Sequence, residues 1–158
     1  MSLTYIYYME NISNLDYMPK VKFVKVAENA KLPTKNNATD TGFDLYSTES
    51  VLIPAKGSAV VPVGITVGYI PKGYWFKIES RSGLGFKHGL MTHPGIVDSE
   101  YRGDCAVKLY NFSDVDYTVN AGDRCAQITF YLNLDIEVEW GTAEKTARGD
   151  KGLGSSGK

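Results

Sequence analysis

Residues 95–104 have the sequence Gly-Ile-Val-Asp-Ser-Glu-Tyr-Arg-Gly-Asp and lie between two apolar runs with the pattern of strands. The turn-forming residues in this stretch predict a tight β-hairpin, from which backbone amides and side chains project to fixed places. A carboxylate (Asp98), an aromatic ring (Tyr101) and an arginine (Arg102) are therefore held in one short segment. Such a hairpin could hold a planar ring by main-chain hydrogen bonds, stack an aromatic side chain on a sugar and direct a base at water.

Short strand candidates surround this segment. Val21–Val26 alternates like a strand, and apolar runs follow at residues 43–46, 50–53, 58–67, 73–79, 105–112, 116–119 and 126–133. The connections at residues 54–57, 70–73 and 120–123 have the Gly, Pro or Asn content of turns. Only Ser82–Lys87 has the pattern of a helical turn, and its glycines keep it short. Many short strands with almost no helix predict an all-β barrel or jelly roll.

The bulk composition excludes several classes of function. The 158 residues are enough for one domain with a core, and a net charge of −1 leaves no overall basic field for a nucleic acid polymer. The longest apolar stretch, residues 59–70, is interrupted by Pro62, Gly64 and Gly68, so we expect no membrane span. The first residues lack the basic and apolar regions of a signal peptide.

The cysteines and histidines argue against a disulfide or a metal centre built on these side chains. Cys105 and Cys125 lie in strand-like runs without a CxxC spacing, which is typical of two reduced core residues in an intracellular protein. His88 and His93 alone are too few for a histidine zinc site. We expect a cytoplasmic or nuclear protein that is not secreted.

The chain divides into three parts by composition. Residues 1–20 form a leader of weak pattern that we expect to be flexible. Residues 21–146 contain the strand candidates, and residues 147–158 are rich in Gly and Ser with Arg148 near the start. The last part has the composition of a mobile tail, and a plain disordered terminus is the competing interpretation. Arg148 just before the glycines favours a lid that closes over a polyphosphate.

Five segments carry a family resemblance: residues 40–45 (Asp-Thr-Gly-Phe-Asp-Leu), 81–84 (Arg-Ser-Gly-Leu), 95–104, 121–127 (Ala-Gly-Asp-Arg-Cys-Ala-Gln) and 148–157. In order and spacing they resemble the five motifs of the trimeric dUTP pyrophosphatases (dUTPases). The resemblance implies a dUTPase-like jelly-roll or β-clip barrel with at most one short helix. It also implies a homotrimer in which all three chains contribute to each active site, and hydrolysis of dUTP to dUMP and pyrophosphate.

The resemblance assigns roles to three side chains. Asp98 is implied to be the general base that activates water for attack on the α-phosphorus; from the residues alone, Asp98 could instead order its own turn. Asp44 is implied to meet Mg²⁺ through water, in keeping with the preference of that ion for oxygen ligands and retained waters. Tyr101 is implied to pack beneath the deoxyribose and reject ribonucleotides, against the alternative of a core or interface aromatic.

Uracil recognition is assigned to the main chain around Gly95, Ile96 and Val97. Uracil and cytosine present reversed donors and acceptors, and each mismatched buried group costs on the order of 1–3 kcal/mol. Leu153 stands where the family usually has an aromatic residue over the base, and Lys151 replaces a usual glycine. We expect a working enzyme with a less ordered closed state.

A second group of residues has the donors that phosphate oxygens require. Arginine supplies a planar fork, and glycines allow close approach of backbone N–H groups. Out of context, Arg81 and Ser82 have the pattern of a solvated turn. The predicted phosphate-binding residues are Arg81, Ser82, Gly83, Gln127, Arg148, Gly154, Ser155 and Ser156. Asp40 is expected to order its loop, and Asp123 and Arg124 to make structural contacts around the site.

Two alternative functions remain open. A dCTP deaminase shares the fold, but alignment from Asp98 places Lys108 where that family uses a glutamate to shuttle protons. A lysine cannot replace that carboxylate, so deamination is disfavoured. The other alternative is a dUTP-binding protein that regulates a partner, a role in which the leader could take part.

Overall fold

The computed structural model describes residues 18–134, 136–147 and 149. Ten strands and one helix form this part of the chain. The strands are β1 (Lys22–Lys25), β2 (Phe43–Tyr46), β3 (Val51–Ile53), β4 (Ser58–Tyr69), β5 (Tyr74–Glu79), β6 (Leu90–Thr92), β7 (Gly95–Val97), β8 (Asp104–Asn111), β9 (Tyr117–Val119) and β10 (Arg124–Leu132), and the helix is α1 (Ser82–His88). The predicted all-β class with one short helix is confirmed for these residues.

The strands form two four-stranded sheets and a two-stranded one, and every strand pair is antiparallel. The orders are β1-β4-β8-β6, β2-β10-β5-β7 and β3-β9. In the second sheet Gln127 on β10 lies between Asp44 on β2 and Glu79 on β5. Two sheets that pack face to face, with edges crossed by short connections, are the architecture of a jelly roll.

The core lies between the two larger sheets and follows the period-2 pattern of the strands. On β8 the exposed and buried positions alternate strictly, so that Val107 and Leu109 are completely buried. Phe76 of β5 packs edge-on against Phe130 of β10 and contacts Phe23 of β1, which joins the two sheets. Truncating one such side chain to alanine costs about 2–5 kcal/mol.

The predicted hairpin at residues 95–104 is wrong in its pairing. β7 pairs with β5, through Lys77↔Ile96 and its neighbours, whereas β8 pairs with β4 and β6 of the other sheet. The intervening turn therefore crosses from one sheet to the other. Its consequence is that β7 lies at the edge of its sheet, with one side of its backbone outside the ladder.

Helix α1 directly follows Arg81, whose backbone is extended, and ends at Gly89. Gly89 has a φ of 66°, and its N–H donates to Gly85 O, a left-handed C-terminal cap that favours glycine. Phe112 N donates to Gly89 O at 2.9 Å, which ties the end of the helix to the region after β8. Among the described residues, no helix is long and apolar enough to cross a membrane.

Candidate active site

The first cleft of interest lies at one end of the β2-β10-β5-β7 sheet and has a volume of about 450 Å³. Three of the five sequence segments meet in it, because β2, β10 and the β5–α1 connection end side by side. The cleft is lined by Asn36, Asp40, Thr41, Gly42, Asp44, Arg81, Ser82, Gly83, Arg124 and Gln127. The structure thus brings together all the predicted phosphate-binding residues that it describes.

An ion-pair cluster forms the floor of this cleft. Asp44 Oδ1 accepts from Arg81 Nε at 2.8 Å, and Asp44 Oδ2 accepts from Arg124 Nη1 at 3.1 Å. Arg81 Nη1 also donates to the carbonyl of Arg124 at 3.3 Å. Asp44 is the most buried of the three, with a side-chain exposure of 13%, against 24% for Arg81 and 43% for Arg124. The carboxylate therefore holds two guanidinium groups at the surface of the cleft, where they can meet an anion.

Gln127 is fixed by its neighbours on both sides. Its Nε2 donates to Ser80 O at 2.9 Å, and its amide oxygen lies where a Cβ on Gly42 would be. An amide nitrogen carries two N–H groups, so the bond to Ser80 leaves one for a ligand. A side chain at position 42 would therefore displace the Gln127 amide.

The second cleft contains Asp98 and Tyr101 and has a volume of about 670 Å³. Its lining residues are Gly73, Tyr74, Trp75, Ile96, Asp98, Ser99, Glu100, Tyr101 and Asn133. The turn is closed through the main chain, with Tyr101 N donating to Asp98 O at 3.1 Å, and the Tyr101 hydroxyl donates to Asp104 O at 3.1 Å. Asp98 is exposed, so its carboxylate can reach a ligand in this cleft.

The two clefts share no lining residue, and they occupy different ends of the same sheet face. Gln127 lines the first, and Trp75, which pairs with Tyr131, lines the second. Tyr131 follows Gln127 by four positions on β10, which corresponds to roughly 13 Å along a strand. Within one copy, the structure therefore does not bring Asp98 next to the phosphate-side residues.

A third, mostly apolar cleft of about 500 Å³ adjoins the first. It shares Arg81, Ser82 and Gln127 with the first cleft and adds exposed apolar side chains. Phe86 is 93% exposed, Phe112 60% and Met91 53%. This apolar surface beside a charged cleft is suited to contact with another polypeptide.

Several residues that line the clefts were not predicted as ligand contacts, among them Arg124 and Trp75. Arg124 was expected to make structural contacts only; its position one residue after Asp123 in the fourth segment was the available signal. Trp75 lies outside all five segments, and only its outward position on β5 in the register Trp75↔Tyr131 identifies it. Conversely, Arg148, Leu153, Gly154, Ser155 and Ser156 lie outside the described residues.

The pKa of one carboxyl group in the first cleft is lowered, whereas the pKa values of two thiols in the core are raised. The Asn37 backbone amide, which donates to Asp40 Oδ2 at 2.8 Å, holds the pKa of Asp40 below its usual value and orders this loop. Burial raises the pKa of Cys105 to about 11 and that of Cys125 to about 12. Both cysteines are free thiols, and Cys125 Sγ donates to Leu45 O. They are core residues.

The donor set of the first cleft fits a magnesium ion held through water. The described residues contain no cluster of three or more His, Cys, Asp or Glu side chains that could hold a metal directly. Each Asp44 oxygen accepts one guanidinium N–H and has a further lone pair that can accept from a water. Mg²⁺ characteristically keeps several waters and takes its other ligands from phosphates.

Comparison with known proteins identifies relatives along most of the chain. A model of the dUTPase family matches residues 28–157. The chain is 40% identical over 135 residues to the deoxyuridine 5'-triphosphate nucleotidohydrolase of Debaryomyces hansenii, with 84% of each protein covered. It is 40% identical over 140 residues to that of Oryza sativa subsp. japonica, covering 88% of this chain and 81% of the rice protein.

A solved structure gives the same result for the fold. The dUTPase of Staphylococcus bacteriophage 80alpha with dUPNHPP superposes with a TM-score of 0.79 at 26% identity, covering 88% of this chain and 99% of the phage protein. That structure is described in the context of phage dUTPases controlling the transfer of virulence genes. With a family model and relatives that extend over most of the sequence, the chain belongs to the dUTPase family.

Proposed function

We propose that the protein hydrolyses dUTP to dUMP and pyrophosphate, which limits uracil in DNA and supplies dUMP for dTMP synthesis. One observation carries the proposal beyond family membership. A cleft with two clamped arginines, Arg81 and Arg124, lies on the same sheet face as a cleft with an exposed carboxylate, Asp98. The first cleft has the positive charge needed to bind a triphosphate, and the second has a carboxylate that can accept a proton from water.

In the proposed reaction Asp98 is the general base. It accepts a proton from a water whose oxygen forms a new bond to the α-phosphorus. The bond from the α-phosphorus to the bridging oxygen of the β-phosphate breaks, and pyrophosphate leaves. A carboxylate within hydrogen-bond reach of the water suffices for this role.

Magnesium is the proposed cofactor, held by Asp44 through water. When bound, the ion would neutralise part of the triphosphate charge that builds up as pyrophosphate leaves. In this chain Asp44 also holds Arg81 and Arg124 in place, so the same carboxylate serves the metal and the guanidinium groups.

The base and the sugar are proposed to be recognised by the segment that crosses between the sheets. Because β7 lies at a sheet edge, the main chain of Gly95, Ile96 and Val97 has a side that is available for hydrogen bonds to uracil. The exposed ring of Tyr101 would lie beneath the deoxyribose and exclude a 2′-hydroxyl. Leu153 would cover the base from the tail.

The phosphates are proposed to be bound by Arg81, Ser82, Gly83 and Gln127. We propose with this role a division of the chain into a leader over residues 1–20, a β domain over residues 21–146 and a lid over residues 147–158. The lid would add its own donors from Arg148, Gly154, Ser155 and Ser156. Glycines in the lid would let backbone N–H groups approach the phosphate oxygens.

We further propose a homotrimer with shared active sites. The two clefts share no lining residue, and Gln127 of the first lies roughly 13 Å along β10 from Tyr131, the partner of Trp75 in the second. One water does not span such a separation, so a second copy would have to bring its Asp98 to the phosphate side. Residues 134–140 alternate apolar and acidic side chains, the pattern of a half-buried strand. Yet the apolar members are exposed: Leu134 71%, Ile136 71%, Val138 90% and Trp140 103%. A neighbouring copy would cover them.

The proposed compartment is the cytoplasm or the nucleus. Cys105 and Cys125 are both free and buried, as expected of a protein from a reducing environment. No nucleic acid polymer and no membrane are proposed as partners. The substrate is a free nucleotide.

A regulatory role is the second candidate, favoured by the similarity to the phage protein noted above. One experiment separates the candidates: incubation of the protein and Mg²⁺ with either dUTP or dCTP, followed by quantification of dUMP, pyrophosphate and ammonia. Equal release of dUMP and pyrophosphate supports the proposal. Ammonia release from dCTP would indicate a deaminase, and saturable dUTP binding without turnover would indicate a regulatory protein.

A further inference from the structure

We propose that Trp75 is a substrate-contacting residue, whose indole forms an aromatic wall for the deoxyribonucleoside end of the nucleotide. The inference rests on the function proposed above and adds a residue from outside the five segments. Trp75 lines the same cleft as Asp98 and Tyr101.

The indole is held in a fixed orientation. It stacks on the ring of Tyr131, with centroids 4.6 Å apart and planes inclined by 20°. Its Nε1 donates to Leu132 O at 3.4 Å. Tyr131 does not line the cleft, so the surface that Trp75 presents to the cleft is different from the face that the tyrosine covers. An aromatic surface fixed before binding loses little conformational entropy when a ligand stacks on it.

A polar network in turn fixes Tyr131. Its hydroxyl donates to Glu79 Oε1 at 3.3 Å and accepts from Thr129 Oγ1 at 3.1 Å. Lys77 Nζ lies 3.1 Å from the same Glu79 oxygen. The support for Trp75 therefore extends across β5 and β10, and the indole is part of the sheet face.

The charge of the two clefts decides which end of the nucleotide Trp75 meets. The residues that line its cleft include the acids Asp98 and Glu100 but no lysine or arginine. Such a surface disfavours a triphosphate and accepts an uncharged base and sugar. The arginines line the other cleft. Aromatic stacking on a base is independent of charge and contributes about a tenfold or greater gain in affinity.

Fluorescence tests the contact directly. The chain has two tryptophans, Trp75 and Trp140. In a Trp140→Phe protein, which keeps an aromatic ring at position 140, all indole emission comes from Trp75. We expect dUMP to change this emission in a saturable way, with a midpoint equal to the inhibition constant of dUMP in the hydrolysis assay. Pyrophosphate with Mg²⁺ should leave the emission unchanged.

Kinetics provides an independent readout. Trp75→Leu should raise KM for dUTP about tenfold and leave kcat within about twofold, because the contact is to the nucleoside and not to the reacting phosphorus. Trp75→Phe should restore most of the lost affinity. Tyr131→Phe, which keeps the stacked ring, is the matched control for loss of the hydroxyl network.

The outcomes separate the inference from the function. If the protein hydrolyses dUTP but dUMP leaves Trp75 emission unchanged, or if pyrophosphate changes it equally, the inference is overturned. If Trp75→Leu does not fold, the emission measurement on the folded Trp140→Phe protein still decides. Absence of dUTP hydrolysis by the unmodified protein would instead overturn the proposed function.

Discussion

Gln127 packs so closely on Gly42 that a methyl group at position 42 would overlap the Gln127 amide oxygen. Gly42→Ala should therefore displace the amide from the first cleft and lower kcat/KM for dUTP by roughly 10- to 100-fold, the effect of losing a hydrogen bond to a charged group. Steady-state kinetics measures this change. Gly141→Ala is the matched control, because nothing lies within 4 Å of a Cβ there. Equal activity of the two variants would remove Gln127 from the proposed phosphate site.

Asp98→Asn should abolish turnover and keep nucleotide binding, because an amide fills the same space but cannot accept the proton. Turnover is followed by pyrophosphate release, and binding by calorimetry with a non-hydrolysable dUTP analogue. Glu100→Gln, at a neighbouring acid in the same cleft, is the control and should keep most of the activity. Substantial turnover by Asp98→Asn would mean that another group is the base.

Ile136→Asp should weaken assembly at least tenfold, since it places a charge in the exposed apolar row at residues 134–140. Sedimentation analysis over a range of concentrations would show dissociation, and specific activity should fall on dilution in parallel. Thr142→Asp adds the same charge outside the row and should behave as the parent protein. A fully active monomer would contradict the shared-site proposal.

Stability should decline in alkaline solution because of the buried thiols. Burial raises the pKa of Cys105 to about 11 and that of Cys125 to about 12, above the ordinary value of a thiol. Above pH 9 the unfolded chain releases these protons while the folded chain keeps them, so the folded state binds more protons and loses stability as pH rises. Each thiol contributes up to about 1.4 kcal/mol per pH unit. Urea titrations between pH 8 and pH 10.5 should show a shallower decline for a Cys105→Ala, Cys125→Ala protein; an unchanged slope would contradict the assignment.

Leu153→Phe should raise kcat/KM for dUTP, because an aromatic ring can stack on uracil where leucine makes only apolar contact. The comparison requires steady-state kinetics with dUTP as substrate. Leu153→Met, which conserves volume without a ring, is the control. An equal or lower kcat/KM for the phenylalanine variant would count against a stacking role for position 153.

The sequence predicts most strands because their alternation is long enough to recognise. β8 and β10 were predicted to within two residues at each end. β6 and β7 were missed because each has only three residues, with His93 and Pro94 between them. The pairing of β7 was mispredicted for a different reason: local turn chemistry predicts a hairpin, whereas the pairing of each strand depends on distant partners.

The site was predictable where neighbouring residues carry the chemistry, as at Arg81 and Asp98. The division of the site into two clefts was not predictable from the sequence, because the distance between the clefts follows from the registers of β10 with β2 and β5. Trp75 was missed for the same reason. Its position beside the turn depends on the β5–β7 pairing, which short-range patterns do not contain.

The placement of both clefts on one sheet has a genetic consequence if the sites are shared. Every copy would then lend Asp98 to one neighbour and the Arg81–Asp44–Arg124 cluster to another reaction centre. A mutant subunit that folds and assembles would inactivate sites to which unmutated subunits also contribute residues. Such alleles should be dominant, whereas alleles that prevent folding should be recessive.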